Sequence, residues 1–540
     1  MGDTLIHERC NTCKWDEILH CVQNDKGEQG TTILSIAITS RLLLLAGNSL
    51  CPPVAYNKEI PRQKGATLHM ATATTPVRIP PGPPTLPLVG AVFSYMRNPL
   101  DFMLENYRRY GDVIRIDLLG IKGAALHGAE ANRFVLVDNA SNFLVEPLID
   151  RVRARWIVGN GLLFIDDPQH KAQRRLMMPA FHRKRIEHYA EVMRDSTNEM
   201  LDKWRPGQVL DIGKQMHHLA LVIAGRTLFS MDLGGSAHEL GESVATIVKV
   251  VSNPLNIGLA QLPFDVLKVG EGATLRRALK RIDRTLRRII VEHERSHTDT
   301  GDAVSMLVAA RDEEGNRLSV EQIRDQLLTL FVAGHETSAN ALTWAFYLLA
   351  QHPQVTSRLL GELQGELKGA PPTVADLERL PYLEQVMKEV LRLYPPAPSA
   401  NRTAKEDFEW KGYTIRKGEI VSYVPFVSHR MPTQFVDPEV FMPERWAPDF
   451  RPQPPQYAYI PFAVGPRSCI GAGFAQVEIK LVMAMLLQRF RLDLVPGQHI
   501  MATVRTTVQP EGRLLMRVQR QDGHAERSPA SVTGNVVGAA

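Results

Sequence analysis

Cys469 lies in the run Pro461-Phe462-Ala463-Val464-Gly465-Pro466-Arg467-Ser468-Cys469-Ile470-Gly471. A thiol does chemistry as a thiolate, either as nucleophile or as metal ligand, and positive potential nearby favours that form. Arg467 brings a charge two residues away, and 470–488 reads as a helix whose opening N–H groups and dipole favour an anion. Gly465 and Gly471 permit tight turns around the sulfur. A nucleophile needs a base beside it. The loop offers none, although one can come from distant sequence, and a glycine-flanked loop better suits a flat cofactor lying over the sulfur. A second candidate is Ala333-Gly334-His335-Glu336-Thr337-Ser338, in the middle of an apolar helical pattern over 320–351. Glycine there is unfavourable by about 1 kcal/mol, and a buried Glu336 needs a partner. Thr337 bonding back to a carbonyl one turn earlier explains Thr337 but neither Gly334 nor Glu336. Two further pairs share a helix face: Glu389 with Arg392, three apart, and His170 with Arg174, four apart. Taken alone, each reads as a solvated surface pair.

These residues need elements to carry them. After a stiff Pro-Pro-Gly-Pro-Pro stretch at 80–84, the pattern predicts a helix over 100–110 and a strand over 113–119. Helical periodicity dominates 128–394, followed by a proline-rich mixed segment over 395–466, the helix after Cys469, and strand-like runs to about 518. Residues 274–288 hold seven basic side chains, with Leu275, Leu279, Ile282, Leu286 and Ile289 on the other face. That is an amphipathic surface helix with a solvated charged side. Without a binding motif or interleaved aromatics it gives no reason to expect nucleic acid. No internal repeat, dinucleotide-binding or P-loop glycine signature is present.

Composition narrows the class. The chain has 540 residues, 44% apolar and 22% charged, with a net charge of +5, which excludes a disordered or multi-span membrane protein. Four of the five cysteines lie within the first 51 residues, so no disulfide framework supports the main body. Cys10-x-x-Cys13 with His20-Cys21 matches no complete four-ligand zinc pattern. Residues 1–69 read as an extension that need not belong to the functional chain, which can start at Met70. Residues 31–50 within it are a weak candidate for a membrane anchor, since Arg41 interrupts them. Residues 519–540 read as a disordered tail.

The Cys469 run resembles Phe-x-x-Gly-x-Arg-x-Cys-x-Gly, the haem-binding loop of the cytochrome P450 family, and all five specified residues are present: Phe462, Gly465, Arg467, Cys469 and Gly471. Other matches follow the family order. The 333–338 run is similar to the family's oxygen-activation motif, Ala-Gly-x-Asp/Glu-Thr-Thr/Ser. Glu389-x-x-Arg392 and Pro443-Glu444-Arg445-Trp446 are similar to its Glu-x-x-Arg and Pro-Glu-Arg-Phe elements, with Trp446 in place of Phe. The resemblance spans about 80–518, soluble bacterial-type members being the nearest in character. It implies one large, mainly α domain with small β-sheets over 70–518, binding haem b with Cys469 as axial iron ligand. Phe462, Gly465, Arg467, His170, Arg174 and Arg402 would hold the cofactor, His170, Arg174 and Arg402 at its propionates. Glu336 and Thr337 would relay protons, and Glu389, Arg392 and Arg445 would form a structural network.

The activity implied is insertion of one oxygen atom from O2 into a lipophilic substrate. Electrons would come from NAD(P)H through an external ferredoxin or flavoprotein reductase, docking where Arg467, Lys171 and Arg175 bring positive charge. The expected pocket wall is 331–333 with 396–400, and substrate loops are expected near 143–159 and 252–270. The protein is expected to be a cytoplasmic monomer. Membrane contact is left open, the alternative being a membrane-anchored protein held through its N-terminal segment. A haem-thiolate isomerase or dehydratase, or a haem-binding sensor without catalysis, are the competing readings, and an intact Glu336-Thr337 pair argues against both.

Overall fold

Ser319 starts the longest helix. Its hydroxyl accepts from the Gln322 N–H at 3.1 Å, and the Gln322 side chain accepts from the Ser319 N–H at 2.8 Å. This reciprocal cap satisfies two of the N–H groups that a helix start leaves open. The helix then runs from Val320 to Gln351, and the next begins at Pro353, where a missing N–H is harmless. Its second half is buried almost all round, from Ser338 to Leu349, so it forms the axis of the molecule. Trp344 there stacks on Tyr394 at 3.9 Å between ring centroids and donates to Val508 O.

The computed structural model describes residues 78–85, 91–118, 120–151, 155–230, 236–251, 270–296 and 298–521, all within the unit Pro76–Ala540. The extension at 1–69, the anchor candidate at 31–50, the Cys10–Cys21 cluster and the loop at 252–269 lie outside them. Among the described residues no helix is long and apolar enough to cross a membrane. Helices dominate, as the periodicity predicts. The element read at 100–110 is Pro99–Tyr110, started by Asn98, whose side chain accepts from the Leu100 and Asp101 N–H groups. The basic helix extends over Gly270–Ser296. It buries Leu275, Ile282, Leu286 and Ile289 and exposes Arg277, Lys280, Arg281, Arg284 and Arg288.

Five strands form the main sheet, in the order Val113–Leu118, Ile121–Leu126, Ile420–Tyr423, Ala400–Ala404, Phe143–Leu144. Its parallel pair places Gly123 against Ile420, where a Cβ would lie 1.8 Å from the Ile420 carbonyl oxygen. Only glycine fits there. A second sheet joins Val209–Asp211, Leu515–Arg520 and Phe490–Leu494. Gln519 and Arg520 pair with Arg491 and Phe490 in it, so ordered strand continues two residues into the stretch read as tail.

Candidate active site

Cys469 is held by its own loop. Its N–H donates to Phe462 O at 2.8 Å, which closes the turn beneath the sulfur. Gly465 has φ +76°, and a Cβ there would lie 1.9 Å from Leu136 O, so both its backbone angle and the approach of the neighbouring chain require glycine. The helix behind it is Ala472–Arg489, with Gly471 at its N-cap.

Behind the loop lies a buried carboxylate. Glu389 is wholly buried between two guanidiniums. Arg392 reaches it with Nε at 2.9 Å and Nη2 at 2.8 Å, and Arg445 Nε reaches it at 2.9 Å. The remaining arginine donors bind carbonyls: Arg392 those of His429, Pro438 and Val440, and Arg445 those of Val436 and Asp437. Trp446 Nε1 also donates to Glu389, at 3.0 Å. The residue that departs from the family pattern thus adds a bond that phenylalanine cannot make. Burial opposes ionisation of Glu389, but the two arginines hold its carboxyl below the ordinary range.

His429 carries this network to the loop. Its Nε2 accepts from the Ile460 N–H at 2.9 Å, so the ring proton sits on Nδ1, facing Arg392 O at 3.2 Å. Burial pushes its pKa down to about 3, which keeps the ring neutral and the bonding pattern fixed. Sequence reasoning passed over His429. A histidine between Ser428 and Arg430 carries no sign of what it will bridge.

In front of the loop lies a cavity of about 510 Å3, into which Cys469 opens. The residue is exposed, but only to this interior space, since protein surrounds the sulfur. Burial pushes the thiol above its ordinary pKa, opposed by the Gly471 N–H and by Arg174. Of the two expected sources of positive potential, the helix terminus acts on the thiol through the Gly471 N–H, whereas Arg467 does not. Arg467 is turned to Asp166 Oδ1 at 2.7 Å and Ile165 O at 2.8 Å. Arg174 takes its place beside the loop, donating to Ser468 O at 2.8 Å.

His170, Arg174, Arg402, Arg467 and Phe462 all line the cavity with Cys469 and Thr337. His170 Nδ1 faces Asp167 at 3.3 Å, and burial together with Arg467 holds its pKa below the ordinary value. Arg402 donates to Asn401 O at 2.9 Å. A guanidinium has five N–H donors, and each of the three arginines uses one or two of them, so all three keep donors for a carboxylate. A cationic rim, a thiol opening on a void, and a helix whose Gly334 leaves open space where a Cβ would stand fit a haem.

The structure separates Glu336 from Thr337. Thr337 lines the cavity, its hydroxyl bonded to Ala333 O at 2.5 Å. Glu336 points away and accepts from Thr506 Oγ1 at 2.5 Å. The two are consecutive on a helix, about 100° apart, and only Thr337 of the pair faces the cavity. The same geometry corrects the expected pocket wall: Leu330, Ala333, Gly334, Thr337 and Ala341 face the cavity, whereas Phe331 is fully buried against Phe229 and His335. Pro396, Ala397, Ser399 and Ala400 line it as expected, as do Val145, Leu148 and Ile149 from the 143–159 segment. Of the three expected docking cations, Arg467 and Arg175 are already paired, with Asp166 and Glu313.

A second missed residue is Glu478, on the helix after Cys469. It lies in the cavity wall, 1% exposed, and Oε2 has no partner; neither has the nearby Ser338 hydroxyl. Burial pushes its pKa up to about 8, opposed by Ser338, so it is a protonated acid at neutral pH. Its neighbourhood, Gln476-Val477-Glu478-Ile479-Lys480, alternates polar and apolar residues and carries no sign of burial.

The chain matches the family model "Cytochrome P450" over residues 80–517. Pentalenene oxygenase of Streptomyces avermitilis is 33% identical over 438 residues, 81% of this chain and 96% of that protein. Cyclooctatin synthase of Streptomyces melanosporofaciens is 35% identical over 426 residues, 77% of this chain and 91% of that one. Among solved structures, retinoic acid-bound cyanobacterial CYP120A1 has a TM-score of 0.74 at 28% identity, covering 82% of this chain and all of that one.

Two outcomes follow from the buried acids. Glu389→Gln leaves two buried guanidiniums sharing no carboxylate, so chemical denaturation should show a loss of about 3–5 kcal/mol. A loss below about 1 kcal/mol, as for a surface pair, would show that the network contributes little. For Glu478, the folded chain holds its proton up to about pH 8, whereas the unfolded chain ionises near 4.5. Stability present below that range is therefore lost between about 4.5 and 8, at up to about 1.4 kcal/mol per pH unit. Glu478→Gln should flatten that part of the stability–pH profile.

Proposed function

The chain belongs to the cytochrome P450 family and is a haem-thiolate monooxygenase, and from that premise we propose that its substrate is a neutral, largely hydrocarbon molecule of terpenoid size. The observation that carries this reading is the chemistry of the cavity wall. Its volume alone decides nothing, because the haem shares it. On the helix and on the stretch 396–400, Leu330, Ala333, Ala341, Pro396, Ala397 and Ala400 give an apolar surface with Thr329, Thr337, Ser338 and Ser399 as its polar groups, and Asn401 and Arg402 follow toward the cationic rim. Such a wall selects by shape and buried area, with a few polar groups fixing orientation. A small charged metabolite would leave water there without a partner. Relatives named for pentalenene and for cyclooctat-9-en-7-ol, the latter's 5-monooxygenase 34% identical to this chain, favour the same class.

Haem, when bound, would supply the iron that activates O2, and the Cys469 thiolate would serve as the ligand that favours O–O cleavage. The chain's own residues do the rest. The cationic rim of Arg174, Arg402 and Arg467 would bind the two carboxylates of the cofactor and fix its orientation, with His170, whose Nδ1 faces Asp167, packed beside it. Thr337 holds a hydroxyl at the cavity wall. In passing a proton inward it exchanges its bond to Ala333 O for one into the cavity. Glu478 and Ser338 supply a protonated acid and a hydroxyl on the same wall, and Glu336 holds a second carboxyl on the far side of the helix, toward Thr506. The apolar wall excludes water, so protons arrive through these groups instead of bulk solvent. Electrons come from a redox partner, which we take to be a ferredoxin or flavoprotein reductase in the cytoplasm.

The test is a spectral screen of the haem-loaded protein. Pentalenene and comparable cyclic hydrocarbons should shift the Soret band as water leaves the iron, whereas small charged metabolites such as glutamate should not. With a compound that shifts the band, Thr337→Ala should keep the spectrum but lower the product formed per NAD(P)H consumed by about tenfold or more. A screen in which only small polar compounds shift the band would overturn the substrate class, and undiminished coupling in the variant would overturn the role of Thr337.

A further inference from the structure

A second pocket, of about 190 Å3, lies on the other face of the five-stranded sheet from Arg402 and Tyr423. The strand register fixes which residues face it. Ile114 pairs with Ala125, Ala125 with Ser422, and Ser422 with Asn401, so these four side chains share a face. Tyr95, Phe102 and Met103 close the pocket from the helical side.

His127, immediately after the strand Ile121–Leu126, lines this pocket. It is 3% exposed, and neither ring nitrogen has a hydrogen-bond partner. Tyr107 meets the ring edge-on at 5.8 Å between centroids and supplies no bond to it. Burial lowers the His127 pKa to about 4, despite Asp112 nearby, so the imidazole is neutral. Several other polar groups in the wall are engaged: Ser422 with Asn401, Asn106 Nδ2 with Phe102 O at 2.6 Å, and Arg115 with Pro83 O at 3.5 Å. A buried polar group without a partner costs about 1–3 kcal/mol, and such a group calls for an occupant.

Size and chemistry define that occupant. An apolar cavity of about 150 Å3 takes benzene, so this pocket takes one substituted ring. A neutral imidazole presents one donor and one acceptor, and a hydroxyl can answer either. We propose that this pocket is a second binding site, separate from the Cys469 cavity, for a neutral single-ring alcohol or phenol held by a hydrogen bond to His127. Leu148, Ser399 and Asn401 are walls of both pockets, so a ligand here rests against the strand that carries Arg402.

The probe is 4-bromophenol, soaked into crystals of the haem-loaded protein. Bromine scattering should place it in this pocket, with its oxygen within hydrogen-bond distance of a His127 ring nitrogen. In solution, calorimetry should show saturable binding that weakens about tenfold in His127→Phe, the loss of about 1.4 kcal/mol expected for one hydrogen bond. The Soret response, which reports the Cys469 cavity, should be the same in both proteins. If the variant does not fold, bromobenzene replaces it, since lacking the hydroxyl it should bind the wild type about tenfold more weakly. Bromine absent from this pocket, bromine found only in the Cys469 cavity, binding at crystal concentration only, or affinity indifferent to the hydroxyl and to His127 would each overturn the site.

Discussion

One buried carboxylate organises the irregular segment behind the Cys469 loop. Glu389 sits at zero exposure between Arg392 and Arg445. Two guanidiniums on one carboxylate leave an excess positive charge in the interior, which is tolerable only because carbonyl oxygens answer the remaining N–H groups. Those carbonyls belong to His429 and to residues 436–440, a stretch without regular secondary structure that would otherwise have few means of holding its shape. The ion cluster thus replaces backbone ladder bonds as the fastener of an irregular segment. Through the neutral ring of His429 the same cluster fixes Ile460, two residues before Phe462, whose carbonyl closes the turn under Cys469. The position of the thiol is therefore set from behind by polar bonds, where it need not move. The front is left to a smooth apolar wall.

That division of labour accounts for the electrostatics of the cavity. Glu478 is a buried group whose neutral form the protein favours, whereas the cations are gathered along one rim. Charge is thus kept to the edge where an anionic cofactor edge would bind, and the interior offers neutral hydroxyls and a protonated acid. Glu336 stands outside this interior, across the helix and bonded to Thr506. Acid and alcohol are neighbours in sequence, but they face different surroundings.

Most of the site could be read from the sequence because its residues are constrained by chemistry at fixed local spacing. The Cys469 loop, the Glu-x-x-Arg pair and the His170–Arg174 pair are each contained within one turn or helix face. What escaped reading depends on which side of an element faces which neighbour. Phe331 and Leu330 are adjacent apolar residues, and only packing decides that Leu330 lines the cavity. Arg467 has the right charge at the right spacing, but its partner, Asp166, lies some 300 residues away in the chain. His429, Glu478 and His127 are polar residues with no local motif around them, and their partners, or lack of partners, exist only after folding. The fold was legible in the same uneven way: long helices declared themselves by periodicity, whereas the strand through Arg520 depends on a pairing with Phe490–Leu494 that local pattern does not reveal.

The central claim is that the Cys469 sulfur, held in this loop, is the axial ligand of a haem in this cavity. The most direct measurement is the absorption spectrum of the haem-loaded protein, reduced and exposed to carbon monoxide. The account predicts the strongly red-shifted Soret band of thiolate ligation in the wild-type protein and its loss in Cys469→His with haem retained. An imidazole-type band in the wild type, or a thiolate-type band that survives in Cys469→His, would contradict it.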